Sequence, residues 1–415
     1  DLIQQRIYPA VVQDRTVLAD PGTNKNLGLA TWRSFDLEFR TPFPEVDTLR
    51  VGAGFNNGRG RGNHSEFLID EISLISIPVP AGYTSPAERR PTRGREELSK
   101  LVPLGGRWYY DPQGDSPKPP ATFDSSNADR LLYLAEKLET PFADNTSAWL
   151  RKGYLDRRGN MVDRDRFVEN NLTISFTATH LVAHTHGLPN HPTATFPDRW
   201  RAIDGNPNYI QEQDATWYVP LEPRVNSQHV AMKNGQNNDH ALPMGPIGLA
   251  VNGVVFFNPF DHLLNEDAVW RLDRCCGHPA PNALYHYHKY PVCVKSPWAD
   301  DGDDHSPLIG FAFDGFPVYG PYESRGVLAK NASDRPLNEF NLHEDDARGP
   351  HYHVTPGQFP HIIGGLWGTM DERNSRPRPQ GGPGGQRPAG GPGGPGGPGG
   401  RPGLPGPGGR PRPQF

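Results

Sequence analysis

Cysteine and methionine are scarce in this chain, whose 415 residues include three cysteines and four methionines. No run of eighteen apolar residues occurs, so the sequence predicts no transmembrane segment. The charges nearly balance, at a formal net charge of −5, and therefore indicate neither specific nucleic-acid binding nor attraction to an anionic membrane. Apolar residues make up only 35%, against 47 glycines and 46 prolines, which favours a loop-rich, mainly β protein.

Templates of common catalytic sites are missing as well. The chain has no G-x-S-x-G elbow, no Walker loop and no H-E-x-x-H helix. The stretch "GRGRGNH" contains G-x-G, but it does not connect a strand to a helix, so it is not a dinucleotide-binding loop.

Residues 1–80 alternate apolar and polar side chains in "SFDLEFR", "TLRVGAGF" and "EFLIDEISLISIP", which predicts antiparallel strands. The last of these is similar to the closing strand of jelly-roll modules in carbohydrate-binding domains. Eighty residues are too few for a whole module, so this partial jelly-roll-like β domain implies further strands upstream. Residues 81–98 are rich in Pro, Arg and Glu and are predicted to form a linker.

Residues 99–169 form a mixed segment that we expect to pack on the next domain. Its clearest predicted element is a helix at "SSNADRLLYLAEKL". Residues 170–370 are predicted to form the main domain, an antiparallel β-sandwich or barrel. It contains two Gly-punctuated hairpins, "GPIGLAVNGVVFFN" and "HSPLIGFAFDGFPVYGPY", the second with a turn at Asp314-Gly315.

Residues 371–415 are mostly Gly, Pro and Arg, a composition that cannot bury a core and predicts disorder. We expect no contact between this tail, from Arg373 onward, and the main domain. The tail is interpreted as a solvated spacer, with weak binding to polyanions as the alternative.

The cysteines bracket the segment "CCGHPAPNALYHYHKYPVC". A bridge across it closes a loop of roughly 18 residues, worth about 3 kcal/mol in the chain-entropy model. We predict a disulfide between Cys276 and Cys293, with Cys275 as the alternative partner, and such a bridge requires an oxidising compartment. Three reduced thiols in a cytosolic protein are the other interpretation.

Histidines recur in three H-x-H pairs, whereas random placement at this frequency gives about 0.6. Residues i and i+2 of a strand project from the same face, so both imidazoles of a pair can reach one cation. Neutral imidazole suits copper, zinc and iron. The two tyrosine-flanked pairs are therefore predicted to share one metal site, with two further histidines next in line: His286, His288, His351, His353, His191 and His305.

The motifs "ALYHYHKYPVC", "GLPNHP", "GHPAP" and "HYHVTPGQFPHIIGGLWG", together with the two hairpins, occur in an order that resembles the YHYH-domain family over residues 170–370. The resemblance implies a bacterial, commonly exported protein and supplies no substrate. The doublet Cys275-Cys276 departs from the expected single cysteine, which leaves the partner of Cys293 open. We expect an extracellular or periplasmic location, the signal peptide being absent from this chain.

An acidic run, "WADDGDDH", offers a weaker candidate for calcium at Asp300, Asp301, Asp303 and Asp304. Its spacing matches no EF-hand loop, and an acidic surface turn is the competing interpretation.

Two functions follow. The first is an exported metal-binding protein with copper or zinc, and as an enzyme it would be a hydrolase or copper oxidase acting on a polymer or a small organic substrate. The second is a non-catalytic extracellular binding protein with structural histidines, in which Trp32, Trp108 and Trp217 stack on a polysaccharide. The sequence leaves the oligomeric state undetermined.

Overall fold

The computed structural model describes residues 95–375, with gaps at 113–116, 146–148, 151–170, 192, 195, 197–205, 233–240, 262–265, 269–271, 274, 293, 295–299, 301 and 303. The expected jelly-roll-like segment at 1–80 and most of the linker lie outside the described residues. The predicted tail lies outside them from residue 376 onward.

Two antiparallel sheets come first along the chain. The four-stranded sheet runs in sequence order and contains β1 (Val102–Gly105), β2 (Trp108–Tyr110), β3 (Leu131–Leu134) and β4 (Ala143–Asn145). The three-stranded sheet contains β5 (Leu172–Phe176), β6 (His180–Thr185) and β7 (Ala215–Pro220). Short 3-10 turns are found at Leu98–Lys100, Ala128–Arg130, Ala329–Asn331 and Glu372–Asn374.

An eight-stranded sheet forms the centre of the molecule. Its strands in chain order are β8 (Pro246–Ala250), β9 (Val255–Phe257), β12 (Gly277–Pro279), β13 (Tyr285–Tyr287), β14 (Leu308–Ala312), β15 (Pro317–Tyr319), β18 (Leu342–Asp345) and β19 (Gly349–His353). Across the sheet the order is β12-β13-β9-β8-β14-β15-β19-β18. Two small hairpins complete the described strands: β10 (Phe260–Asp261) with β11 (Glu266–Asp267), and β16 (Tyr322–Ser324) with β17 (Val327–Leu328).

The mainly β prediction is confirmed, and both predicted hairpins form, as β8–β9 and β14–β15. The central sheet is mixed rather than purely antiparallel. Strand β13 runs parallel to β9, and β19 runs parallel to β15. Neither parallel partner follows directly in the chain, because a tight turn can join only antiparallel strands and a parallel neighbour requires a longer connection.

The helix predicted at "SSNADRLLYLAEKL" is wrong. A single 3-10 turn at Ala128–Arg130 leads into strand β3, and every residue of β3 is buried. Since β3 pairs on one side with β2 and on the other with β4, its run of apolar residues is a central strand. Tertiary pairing outweighs the weak local helix propensity of this stretch.

The central sheet is buried on both faces. One core includes Leu249, Phe311 and Phe313 and also holds side chains from the first two sheets, among them Trp108 and Ile174. A second core surrounds residues of the opposite face, such as Phe256, Tyr287 and Tyr352. Two-sided burial explains why the four middle strands, β8, β9, β14 and β15, are apolar at nearly every position instead of alternating.

Residues 371–375 contact the domain, so the expected start of the tail at 371 is wrong. The side chain of Asn374 accepts a hydrogen bond from Tyr218 N at 3.0 Å and donates to Tyr218 O at 2.7 Å. The Arg373 guanidinium lies 3.6 Å from the centre of the Tyr218 ring. Within the described part of the chain, no helix has the length and apolar character needed to cross a bilayer.

Candidate metal centres

The first histidine cluster consists of His278, His286 and His288, and it lies at one edge of the central sheet. His286 lies in the middle of β13 and is paired across the sheet with His278 of β12. His288 follows β13 directly. All three side chains are buried, and together they form a group able to hold a metal ion.

The Nε2 atoms of this first cluster face one another. His286 Nε2 lies 2.9 Å from His288 Nε2, which in turn lies 3.2 Å from His278 Nε2. His286 Nδ1 donates to Leu284 O at 3.0 Å, and His288 Nδ1 donates to Asn258 O at 2.5 Å. A carbonyl oxygen can only accept, so the proton of each neutral ring sits on Nδ1 and Nε2 carries a lone pair.

Two facing lone pairs repel unless a proton or a cation lies between them. A proton is disfavoured, because burial and then the neighbouring imidazoles lower the pKa of His286 well below its ordinary value. Burial likewise lowers the pKa of His288. The ring of Phe257 stacks on His286 with centroids 3.8 Å apart and shields the cluster. A transition-metal ion bound between the converging nitrogens would remove this repulsion.

The second histidine cluster lies at the other edge of the central sheet, and its residues are His305, Glu323, His343, His351 and His353. Four of them form a second group able to hold a metal ion, namely His305, Glu323, His351 and His353. The fifth, His343 of β18, pairs across the sheet with His351 of β19, and their Nε2 atoms are 3.0 Å apart.

Backbone carbonyls fix all four imidazoles of the second cluster. The Nδ1 atoms of His305, His343, His351 and His353 donate to Ser306 O, Arg335 O, Gly349 O and Gly320 O at 2.6–2.9 Å. Their Nε2 atoms are left to face inward. Two buried ring nitrogens there have no hydrogen-bond partner, His305 Nε2 and His353 Nε2. Orphaned buried atoms of this kind are costly unless something binds them.

Glu323 gives the second cluster a negative charge. Its Oε2 lies 3.1 Å from His343 Nε2 and 3.6 Å from His353 Nε2. Burial opposes ionisation, but the facing His343 and the neighbouring Arg335 lower the pKa of Glu323 below its ordinary value. Burial also lowers the pKa of His351, to about 3, so this imidazole is neutral and available as a ligand.

The expectation of one site shared by both tyrosine-flanked pairs is wrong. Strands β13 and β19 are five strand spacings apart in the sheet order, which corresponds to about 24 Å at about 4.8 Å per spacing. His286 and His288 thus belong to one cluster, and His351, His353 and His305 to the other. His191 joins neither group; its Nε2 lies 2.6 Å from Tyr287 Oη in a buried hydrogen bond.

Three cluster residues were missed by the sequence reasoning: His278, His343 and Glu323. A repeated spacing could have revealed the two histidines, because both "HPAPNALYHYH" and "HEDDARGPHYH" read H-x7-H-Y-H. Glu323 carries no such local signal, since its hairpin meets the cluster only through the tertiary fold.

The acidic run is only partly described. Both carboxylate oxygens of Asp300 are used, accepting from Tyr290 Oη at 2.8 Å and from Ser306 Oγ at 2.7 Å. Asp304 is exposed, whereas Asp301 and Asp303 lie outside the described residues, so calcium binding stays a prediction.

The structure contradicts one of the two expected disulfide pairings. Cys276 is buried and forms no disulfide, so the pairing of Cys276 with Cys293 is wrong. No disulfide joins two of the described cysteines. The alternative pairing of Cys275 with Cys293 stays a prediction, because Cys293 lies outside the described residues.

The tryptophans proposed for sugar stacking are not free aromatic surfaces where the structure describes them. Trp108 is buried in the core, 3% exposed. Trp217 stacks on Phe313, with ring centroids 5.1 Å apart. Trp32 lies outside the described residues.

The described residues thus form a mainly β domain with two buried clusters, each of which could hold a metal ion. Residues 216–377 match the model of the family described as YHYH protein, which supports the resemblance expected from the sequence over this range. Neither the curated proteins nor the solved structures contain a match to the chain.

Proposed function

We propose that the protein is an exported metal-binding protein that holds a copper or zinc ion at the first histidine cluster. The observation that carries the proposal is the convergence of three Nε2 atoms, two of which belong to rings, His286 and His288, whose tautomers are set by carbonyl acceptors at Nδ1. Ligand histidines in metalloproteins characteristically donate their second ring nitrogen in this way. An all-imidazole site suits copper and zinc better than calcium or magnesium.

The geometry needs little change to accept an ion. Tetrahedral coordination at about 2.0–2.1 Å separates ligand nitrogens by about 3.3 Å. The observed separations of 2.9 and 3.2 Å need to widen only by a few tenths of an ångström. When bound, such an ion supplies either Lewis acidity or, for copper, electron transfer. Action on a polymer or small organic substrate remains an extension of this proposal.

The test measures bound metal in protein prepared without a histidine tag. His288→Gln and His286→Gln should each remove one equivalent of copper or zinc per chain, because each variant loses one of three converging donors. His184→Ala is the matched control: His184 is a strand histidine that pairs with exposed Asp214 at 2.8 Å and belongs to neither cluster. It should retain the full metal content.

Thermal unfolding provides an independent readout. Ions that bind only the folded state raise its stability by RT ln(1 + [L]/Kd), about 2.7 kcal/mol at one hundred times Kd. Adding Zn²⁺ or Cu²⁺ to chelator-treated wild-type protein should raise the Tm, and the rise should shrink in His288→Gln. Absence of bound metal, together with an unchanged Tm on adding either ion, would refute the proposal.

A further inference from the structure

The sequence of parallel and antiparallel strand pairs in the central sheet is the same when counted from either edge. From its middle pair, β8 and β14, each side continues with an antiparallel strand, then a parallel one, then an antiparallel one. On one side these are β9, β13 and β12, and on the other β15, β19 and β18. The sheet is thus made of two halves related by an approximate two-fold axis between β8 and β14.

Two backbone hydrogen bonds at the ends of the middle strands, β8 and β14, follow this two-fold symmetry. Val251 N donates to Ile309 O at 2.9 Å, and Phe313 N donates to Ile247 O at 2.9 Å. Residues 247–258 align without a gap on residues 309–320, and in that alignment these two bonds exchange places.

The same correspondence extends to the histidines. The H-x7-H-Y-H motif occurs in each half, and its first two histidines are paired across the sheet in each: His278 with His286, and His343 with His351. The Nδ1 of the third histidine donates to an equivalent carbonyl, from His288 to Asn258 in one half and from His353 to Gly320 in the other.

Buried anchors of the motif tyrosines also correspond. Tyr287 Oη accepts from Asn252 Nδ2 at 2.9 Å, and Tyr352 Oη donates to Asp314 Oδ2 at 2.6 Å. Asn252 and Asp314 occupy the same position of the two aligned hairpins. Shared strand order, register, spacing and hydrogen bonds together point to an internal duplication.

We propose that the domain is an internal duplication whose second half holds a metal ion of its own, a divalent cation bound by imidazoles and by Glu323. This extends the proposed function from one site to two independent sites. Divalent charge follows from the ligands: Glu323 offsets part of the charge in a buried site, where an uncompensated ion would be costly. Mixed nitrogen and carboxylate donors suit zinc and copper(II).

The partial exposure of one ligand also favours metal binding at the second cluster. His305 is half-buried, whereas His351 and His353 are fully buried, so the cluster has one side closer to solvent. Two inward-facing ring nitrogens without hydrogen bonds belong to this cluster, on His305 and His353, and the Glu323 carboxylate lies beside them. One cation bound there would satisfy both nitrogens and face the carboxylate.

Equilibrium dialysis of the full chain against Zn²⁺ tests the inference. Wild type and the control His184→Ala should bind two ions per chain. His288→Gln should bind one, His353→Gln should bind one, and the double variant none. Glu323→Gln, which keeps the shape and removes the charge, should weaken the second ion by about 10- to 100-fold. Near-ultraviolet circular dichroism confirms folding, and His351→Gln replaces His353→Gln if the latter does not fold.

The outcomes separate the two proposals. One ion in wild type, lost in His288→Gln and kept in His353→Gln, overturns the second site and leaves the proposed function standing. One ion lost in His353→Gln and kept in His288→Gln supports the second site and overturns the first. Loss of both ions in a single-site variant overturns their independence, and an unchanged affinity in Glu323→Gln overturns the role of its charge.

Discussion

Removing the hydroxyl of Tyr352 should destabilise the protein more than removing that of Tyr287, although the two tyrosines occupy equivalent positions. Tyr352 Oη donates to the Asp314 carboxylate at 2.6 Å and accepts from Trp367 N at 2.7 Å. Tyr287 Oη bonds to Asn252 at 2.9 Å and to His191 at 2.6 Å, and neither partner is a carboxylate. The difference between the halves is therefore the carboxylate of Asp314.

The magnitudes follow from the partners. A hydrogen bond between neutral groups contributes about 1 kcal/mol, and one to a charged group about 2 kcal/mol. Tyr287→Phe should then cost about 2 kcal/mol and Tyr352→Phe about 3 kcal/mol. Because burial raises the pKa of Asp314 above its ordinary value, urea unfolding of both variants is measured at pH 8, where we expect an ionised carboxylate, in the presence of a chelator.

A double-mutant cycle isolates the charge. Asp314→Asn gives the second half the amide that Asn252 provides in the first, so in that background the cost of Tyr352→Phe should fall to about 2 kcal/mol. The coupling free energy between Tyr352 and Asp314 is then about 1 kcal/mol. Equal costs for the two tyrosine variants, or no coupling in the cycle, would contradict the reasoning.

Three further measurements test other parts of the structure. Burial raises the pKa of Asp273 to about 6, so the folded state binds the Asp273 proton more tightly than the unfolded state does. The stability of the wild type relative to Asp273→Asn should therefore fall by about 3 kcal/mol as the pH rises from about 4 to about 7. A difference in urea unfolding that does not change with pH would contradict this. Thiol titration of denatured, unreduced protein should find one free thiol per chain, that of Cys276, whereas three would reject the remaining disulfide prediction. Asn374→Ala should cost about 2 kcal/mol, because it removes two hydrogen bonds to the Tyr218 backbone, whereas exposed Glu372→Ala should cost under about 0.5 kcal/mol.

Much of the β architecture could be predicted because its signals are local. The Asp314-Gly315 turn lies between two apolar runs, and the hairpin forms there with Gly315 at φ 94°. The helix expected around Leu131 failed because its apolar residues fit either a helix face or a strand buried on both sides. Only pairing with strands on both sides decides between the two, and such pairing is not encoded in a single window.

The candidate ligands could be predicted in part for the same reason. His286 and His288 share a face because of their spacing, which is a local property. Which other histidines reach them depends on sheet order, and the five strand spacings between β13 and β19 cannot be obtained from periodicity. The repeated H-x7-H-Y-H spacing does encode that order, since a duplicated motif predicts two equivalent sites rather than one shared site.

The tyrosine within each H-Y-H explains why the pattern must alternate. Its side chain points away from the histidines, into the core on the opposite face of the strand, where Tyr287 and Tyr352 are both fully buried. There each hydroxyl is bound to the turn residue of a neighbouring hairpin, Asn252 or Asp314. This hydrogen bond fixes the register of the strand, because a shift of one residue would place the imidazoles in the apolar core and turn the tyrosine toward the cluster. The hydrogen bond of the tyrosine attaches the strand to its neighbouring hairpin. By fixing the strand, it also positions the two flanking histidines so that their side chains point toward the same cluster.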